Sequence, residues 1–411
     1  MGNTKKILVL NCGSSSIKFT LFDVSATASA SLANGLIEKI GGDGSKVKYE
    51  ARGKKGELKR TICTHEEGLS FLGELLTSPD YCGVIKDKSE IDAIGHRVVH
   101  GGDKISEPSL INEDVMAVIM DCERFAPLHN PVNRRGIERA KELFPGRPQV
   151  AIFDTAFHAS IPDHARIYGL PYENYLEGVK KYGFHGTSHR FVALEAAKLL
   201  GKAPNEVDLI TVHLGNGSPI AAVHKGKSID TSMGFTPLEG LIMGTRCGDV
   251  DPAAIFYVMV AGNFTPVEME DWLNKHCGMS ALAGVGSQDM RDIWAAADKG
   301  NEQAKLALRA FAHRVSEYIG GYSWHLKGAC HIVFTGGIGE KDYGVREMVL
   351  EGQQANGFIL DKEANRHNKT IITTHDSPRK ALVIHTNEEL MIAQDTYEVI
   401  SRYTGRRMFG A

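Results

Sequence analysis

Apolar and polar positions along this chain change period several times, and each change marks an element. Residues 6–24 carry two short β-rich runs, KILVLN and IKFTLF, joined by Gly13-Ser14-Ser15-Ser16, a pattern that predicts two strands and a tight turn. The polar stretch 41–60 reads as an exposed hairpin or loop. Residues 91–99 and 150–153 have the compact apolar look of buried strands, and the second delivers Asp154 at its carboxyl end, where parallel sheets hold ligands. Helical spacing replaces alternation in 113–125, through Val115, Val118, Ile119 and Cys122. It returns after Asn301, through Leu306, Phe311, Val315 and Tyr318. Thr187 or Ser188 is the expected cap of a helix reaching Leu200. Thr386 or Asn387 is the expected cap of a terminal helix running to about Ile400, with Glu388 and Glu389 in its first turn. A strand over 331–334 enters the turn Gly336-Gly337-Ile338-Gly339.

One of these patterns occurs twice. LVLNCGSSSIKF near the start and TVHLGNGSPIAAV at mid-chain are both strand, Gly/Ser turn, strand. Gly13-Ser14 and Gly217-Ser218 stand 204 positions apart in 411 residues. The repeat predicts a duplicated α/β unit with one anion-cradling hairpin in each half. A single Gly/Ser turn is more simply a tight hairpin, and the recurrence is what favours phosphate. No low-complexity linker separates the halves, so two packed domains with a hinge are expected.

Composition narrows the partners. With 50 acidic and 47 basic side chains the formal charge is −3, which recommends neither nucleic acid nor an anionic membrane surface. The seven cysteines (12, 63, 82, 122, 247, 277, 330) form an odd set without a CxxC pair, against a disulfide framework and against thiolate zinc, and favour a reducing cytoplasm. Neither a signal peptide nor a membrane span is expected.

The chemistry-bearing residues cluster near the glycines. Backbone N–H groups of a small-residue loop approach phosphate closely, and Lys18 beyond the first loop adds a point charge. Arg97 in GHRVVHGG and Arg246 in MGTRCGDVDP each offer a guanidinium fork for a carboxylate or a transferring phosphoryl group. His129, His158, His185 and His189 lack metal-ligand spacing. His185, between Gly183 and Gly186 and just before a helix start, is the best placed to donate to developing charge. Asp154, Asp249, Asp251 and Glu388 are the candidate acids for a divalent cation, with Asn11 adding a carbonyl oxygen. Pro219 removes one N–H from the second loop.

Taken in order, LVLNCGSSSIKF, GHRVVHGG, APLHNP, FDTAFH, YGFHGTSH, HLGNGS, DTSMGFTPLEGLIMGTRCGDVDP, FTGGIGE and TNEELMIAQDT resemble the acetate kinase family over essentially the whole chain. The resemblance implies an α/β fold of duplicated ribonuclease-H-like, actin-like ATPase domains with an active-site cleft between them. The first would span 1–154, completed by about 388–411, and the second, nucleotide-binding, 155–387. It implies a cytoplasmic homodimer using ATP/ADP with Mg2+, or Mn2+ in its place, and making acetyl phosphate from acetate. Nucleic acid and membrane are not expected partners.

Carried over position by position, the resemblance makes Asn11 and Glu388 the metal residues and Lys18 an ATP contact. Arg97 would bind the substrate carboxylate. Asp154, His185 and Arg246 would be catalytic, with His129 in support. ATP would lie along His213, Leu214, Gly215, Asn216 and Gly217, along Asp289, Met290 and Arg291, and along Gly337, Ile338, Gly339, Glu340 and Lys341. Val99, Leu128, Phe184 and Pro237 would receive the methyl group. The nearest alternative is a propionate or butyrate kinase, and a distant one is an actin-like, ATP-dependent conformational switch.

Overall fold

The computed structural model describes residues 4–409 except 43 and 329, with side chains as far as residue 403. The chain divides into two compact units, Met1–Ala156 with Asn387–Ala411, and Phe157–Thr386. Residues 1–3 and 410–411, at the ends of the range expected for the first unit, lie outside the described residues.

The first unit is built on an eight-stranded sheet: β1 (Lys5–Gly13), β2 (Ser16–Val24), β3 (Ser29–Glu38), β4 (Ser45–Ala51), β5 (Lys54–Arg60), β6 (Ala93–Val98), β7 (Ser109–Leu110) and β8 (Gln149–Phe153). Their order is β5-β4-β3-β2-β1-β6-β8-β7. β1 is central and buried on both faces, which is why its apolar run is nearly continuous. Leu8 and Leu10 pack with Phe71 and Leu72 of the helix His65–Thr77, while Ile7 and Val9 pack with Ile392 and Ala393 of the terminal helix Glu388–Phe409. The stretch read as a hairpin or loop is the β4–β5 hairpin, closed by Ala51 opposite Lys54. Its lysine-rich outer strand protects the sheet edge from further pairing. The helix expected over 113–125 ends earlier, as Glu113–Asp121 followed by a tighter turn through Cys122–Arg124.

The second unit has a five-stranded sheet: β9 (Asp208–His213), β10 (Ile220–His224), β11 (Lys227–Thr231), β12 (His331–Thr335) and β13 (Ala381–Val383), in the order β11-β10-β9-β12-β13. β10 is antiparallel to β9 and β11, whereas β12 runs parallel to both β9 and β13. The same roles occur in β3-β2-β1-β6-β8 of the first unit, so the repeated loop motif does mark a duplicated ribonuclease-H-like sheet. One face of the second sheet, with Ile210 and Val212, packs on Phe311 and Val315 of the helix Glu302–His325. The other, with Leu209 and Ala221, packs on Val192 and Ala196 of the helix Gly186–Leu199.

Of three local expectations, two need correction and one holds. The helix Gly186–Leu199 is not capped by Thr187 or Ser188; His185 occupies the cap position in the left-handed conformation (φ 55°), with no side-chain cap hydrogen bond. The Ser188 hydroxyl is used elsewhere, on His213. Of the two residues offered as cap for the terminal helix, Asn387 serves, its Oδ1 accepting from the Leu390 N–H at 3.0 Å. Finally, the segment read as a glycine turn after β12 is the short helix Gly336–Lys341. Only Gly336 in it has a positive φ (76°), and a Cβ there would lie 2.6 Å from the Leu214 carbonyl oxygen.

Candidate active site

In the first unit the site residues collect at the carboxyl ends of the parallel strands. β6 and β8 pair with Arg97 opposite Ile152, and the Asp154 N–H donates to the Val98 carbonyl at 2.9 Å, so the two strand ends are level. That register delivers Arg97 and Asp154 to each other across 57 residues of sequence. Arg97 donates through Nε to Oδ1 at 2.9 Å and through Nη2 to Oδ2 at 2.6 Å, a bidentate fork on a carboxylate that is 1% exposed. Glu388, in the first turn of the terminal helix, lies 3.9 Å from Nη1. Burial opposes the guanidinium charge, but Asp154 and then Glu388 outweigh it and raise the Arg97 pKa.

The next residue, Glu389, forms an ion pair with Lys18. Lys18 stands opposite Asn11 in the β1–β2 register, two pairs from the closing pair Gly13–Ser16 by way of Cys12–Ile17. Between them Asp154, Glu388 and Glu389 outnumber the cations Arg97 and Lys18. A patch with one carboxylate in excess, beside an asparagine carbonyl, has the hard oxygen donors that suit a divalent cation.

His129 occupies the cap position of the helix Asn130–Leu143, with no side-chain cap hydrogen bond, and Leu128 is exposed before it. The loop after β6 is held by two asparagines that sequence reasoning did not single out. Asn133 accepts from the Val99 N–H at 3.1 Å and donates to the Cys12 carbonyl at 2.9 Å. Asn130 accepts from the His100 N–H and donates back to the His100 carbonyl. Their spacing, i and i+3 on one helix face, was the available signal. Cys12 itself is buried, which pushes its thiol up to about 12 and leaves it unreactive.

In the second unit the hairpin β9–β10 is longer than its counterpart. β1 and β2 are joined by Ser14 and Ser15 alone, whereas 214–219 intervene between β9 and β10. The Ser218 hydroxyl donates to the Gly215 carbonyl at 2.9 Å, and Leu214 is fully buried, so its side chain serves the core. His185 and His213 lie with ring centroids 4.9 Å apart. A Cβ on Gly217 would come within 2.6 Å of His185 Nε2, which is why glycine occupies that place. His213 Nδ1 meets the Ser188 hydroxyl at 2.8 Å, and Ser188 in turn meets the Thr386 hydroxyl at 2.9 Å.

His158 supports this region from beneath. Its Nε2 donates to the Phe184 carbonyl at 3.0 Å, which leaves Nδ1 to accept from the Ser228 hydroxyl at 2.8 Å; burial lowers its pKa to about 3 and keeps it neutral. Phe184 is itself buried, at 1%.

Arg246 contrasts with Arg97. Its Nη1 reaches the Pro237 carbonyl at 3.4 Å and Met243 Sδ at 3.8 Å, and among the described residues no carboxylate pairs with it. Burial lowers its pKa. The turn that carries it is pinned by Met243 N–H to Arg246 O (3.1 Å) and Cys247 N–H to Leu273 O (3.1 Å).

Of the remaining expected residues, Asp289 caps the helix Met290–Asp298 and forks onto exposed Arg291, whose hydrogen bonds hold it down to about 2. The Met290 side chain is in the core. Ile338 and Gly339 N–H groups donate to the Leu214 carbonyl, tying the helix Gly336–Lys341, with Gly337 in its first turn and Lys341 at its end, to the second loop. The Glu340 carboxylate accepts from the N–H groups of Gly336 and Thr386 and meets His385 Nδ1 at 2.5 Å. Asp249 accepts from Gly240 N–H and Tyr318 OH, and Asp251 caps the helix Pro252–Ala261.

The profile described as "Acetokinase family" matches residues 6–394. An acetate kinase of Parabacteroides distasonis is 47% identical over 402 residues, covering 97% of this chain and 100% of its own. The crystal structure of the Porphyromonas gingivalis acetate kinase superposes with a TM-score of 0.91 at 41% identity, covering 96% of this chain and 100% of that one. A propionate kinase from Francisella tularensis superposes with a TM-score of 0.89 at 41% identity, with the same coverage.

Proposed function

The chain belongs to the acetokinase family, and on that premise we propose that it is a phosphotransferase moving the ATP γ-phosphoryl group reversibly to acetate, giving acetyl phosphate and ADP. The observation that carries the reading is the Arg97–Asp154 fork at the carboxyl ends of β6 and β8, a guanidinium fixed in place with Nη1 outside the fork.

Acetate is already an anion at neutral pH, so no base has to create the nucleophile. Its oxygen attacks the γ-phosphorus in line; that bond forms as the bond to the β,γ-bridging oxygen breaks, and ADP leaves with the electron pair. The difficulty is bringing an anion to a polyanion. Arg97 binds the acetate carboxylate, and Asp154 acts as a positioning residue that holds the fork rather than as a base. Arg246 and His185 spread the charge of the equatorial oxygens, and His129 adds a contact to phosphate. Lys18 and the segments His213–Gly217, Asp289–Arg291 and Gly337–Lys341 hold the nucleotide. Val99, Leu128, Phe184 and Pro237 contact the methyl group. Asn11 and Glu388 would hold Mg2+, which when bound would supply charge neutralisation at the phosphates.

The propionate kinase neighbour marks the closest second reading, since one methylene is worth only about 1–3 kcal/mol in such discrimination. Val99 beside the carboxylate site crowds a longer chain and favours acetate.

We further propose a cytoplasmic homodimer. All seven cysteines are free, and no helix of the described residues is long and apolar enough to cross a membrane. The helix Pro252–Ala261 buries none of its residues and exposes Phe256, Tyr257 and Val260 at 62%, 76% and 77%, a face suited to a second copy. Sedimentation of the wild type against Tyr257→Glu tests the dimer, and unchanged mass for both as monomer would remove it. The activity is tested by trapping acyl phosphate as its hydroxamate with acetate, propionate and butyrate. Acetate should give the highest kcat/KM; ATP hydrolysis indifferent to all three acids would refute the assignment.

A further inference from the structure

We propose that the second unit carries a separate binding site for an amphipathic organic anion, in a cavity of about 690 Å³ at the end of its sheet remote from the glycine loops. Ile210 and Ile332 form part of its floor near the starts of β9 and β12. Both strands run from there toward the loops, and Ile332 precedes Gly336 by four residues, about 13 Å of extended chain. None of the segments assigned to the nucleotide lines the cavity.

Its chemistry is one-sided. Val349, Leu350 and Phe358 extend the apolar floor, and Lys327 and Arg379 supply two cations, yet among the described residues no aspartate or glutamate lines the space. Among the described residues neither cation forms an ion pair. The Arg379 guanidinium carbon lies 5.9 Å from the Phe358 ring centroid, so a charged group and an aromatic face are offered together. Apolar walls with a few convergent polar groups are what a small-molecule site requires, and the volume suits a ligand of two fused rings or more. Two cations without a counter-charge select a carboxylate, sulfonate or phosphate head.

A second observation is independent of charge. Gly320 lines the cavity from within the 24-residue helix Glu302–His325, with Gly321 beside it. Neither has a positive φ, and a Cβ on either meets nothing within 4 Å. Glycine is a poor helix former, and here neither backbone strain nor a close neighbour demands it. Its effect at 320 is to leave the space open.

The test is calorimetric titration of the full-length protein with 2-naphthoate and with its uncharged relative 2-naphthamide. Naphthoate should bind once per chain, at least about tenfold more tightly than naphthamide, and equally well in saturating MgATP. Arg379→Gln should weaken naphthoate by about tenfold or more, and Gly320→Leu should abolish binding, while both variants keep acetate-dependent turnover. If Gly320→Leu does not fold, Arg379→Gln on its separate loop decides. Equal binding of the amide, displacement by ATP, unaltered binding in Arg379→Gln, or no heat at millimolar naphthoate would each overturn the site. Loss of turnover in the wild type would instead count against the proposed activity, so the two failures are distinguishable.

Discussion

Arg97 and Arg246 are the same residue type in the two units of one chain, and their surroundings are opposite. Arg97 is gripped by a buried carboxylate, has a second at 3.9 Å, and holds its charge more firmly than a free arginine. Among the described residues the Arg246 guanidinium hydrogen-bonds to a carbonyl and a sulfur and pairs with no carboxylate, and burial weakens its hold on the proton. A guanidinium already forked on a carboxylate has its direction fixed and much of its field neutralised, which suits it to orient a small monoanion. One left without a counter-ion in a partly buried place keeps its full field for an anion yet to arrive, and that is what a developing phosphoryl charge needs. Under the proposed function the same side chain would do two jobs because the neighbouring acids differ.

The sharpest way to break this contrast is Arg246→Ala. Removing a preorganised donor to transition-state charge should lower kcat by about 10²–10³-fold, with the acetate KM little changed, as read in the hydroxamate assay. A loss confined to KM would place Arg246 with Arg97.

Next in size is the stability of the gripped pair. Arg97→Ala leaves Asp154 buried at 1% exposure without its partner, and breaking such a pair costs about 3–5 kcal/mol. Urea unfolding should show most of that loss recovered in the double variant Arg97→Gln, Asp154→Asn. Equal losses in single and double variants would mean that the pair contributes little.

Smaller again is Gly217→Ala. The added methyl would stand 2.6 Å from His185 Nε2, and moving that ring should cost about tenfold in kcat with little change in melting temperature. Unchanged turnover would remove His185 from the reaction.

A fourth test compares the two units by pH. Burial lowers His96 and His100 of the first unit to about 4 and His158 of the second to about 3. Their folded pKa values lie below the unfolded value of about 6.5, so below that pH the unfolded chain binds more protons. The stability these residues contribute is therefore present above about pH 6.5 and is lost as the pH falls toward 4 and 3. Unfolding free energies at pH 7 and pH 5 should differ accordingly, and His158→Gln should flatten the slope; an unaltered slope would mean that His158 is not held neutral.

Much of this was legible in the chain and some was not, for identifiable reasons. Strand pairs with an intervening small-residue turn announce themselves locally, so both hairpins and the duplication could be read from Gly13-Ser14 and Gly217-Ser218. Arg97 and Asp154 could be singled out one at a time, but their fork depends on the parallel register of β6 and β8, a long-range property that residue type does not encode. Ser188 reads as a cap because Ser usually is one; its use on His213 requires knowing that β9 ends beside the start of that helix. Glu340 looked like part of a nucleotide turn, while its carboxylate ties Gly336, His385 and Thr386 together across 50 residues, from 336 to 386. The cavity under Gly320 left no mark beyond two adjacent glycines in a helical pattern.

The central claim is the division of labour between the two arginines, and the acetate dependence of Arg97→Ala tests it most directly. The account predicts a KM for acetate raised by about tenfold or more, the worth of a charge-assisted hydrogen bond, with the KM for ATP near that of the wild type. An acetate KM equal to the wild-type value in a folded Arg97→Ala protein would contradict it.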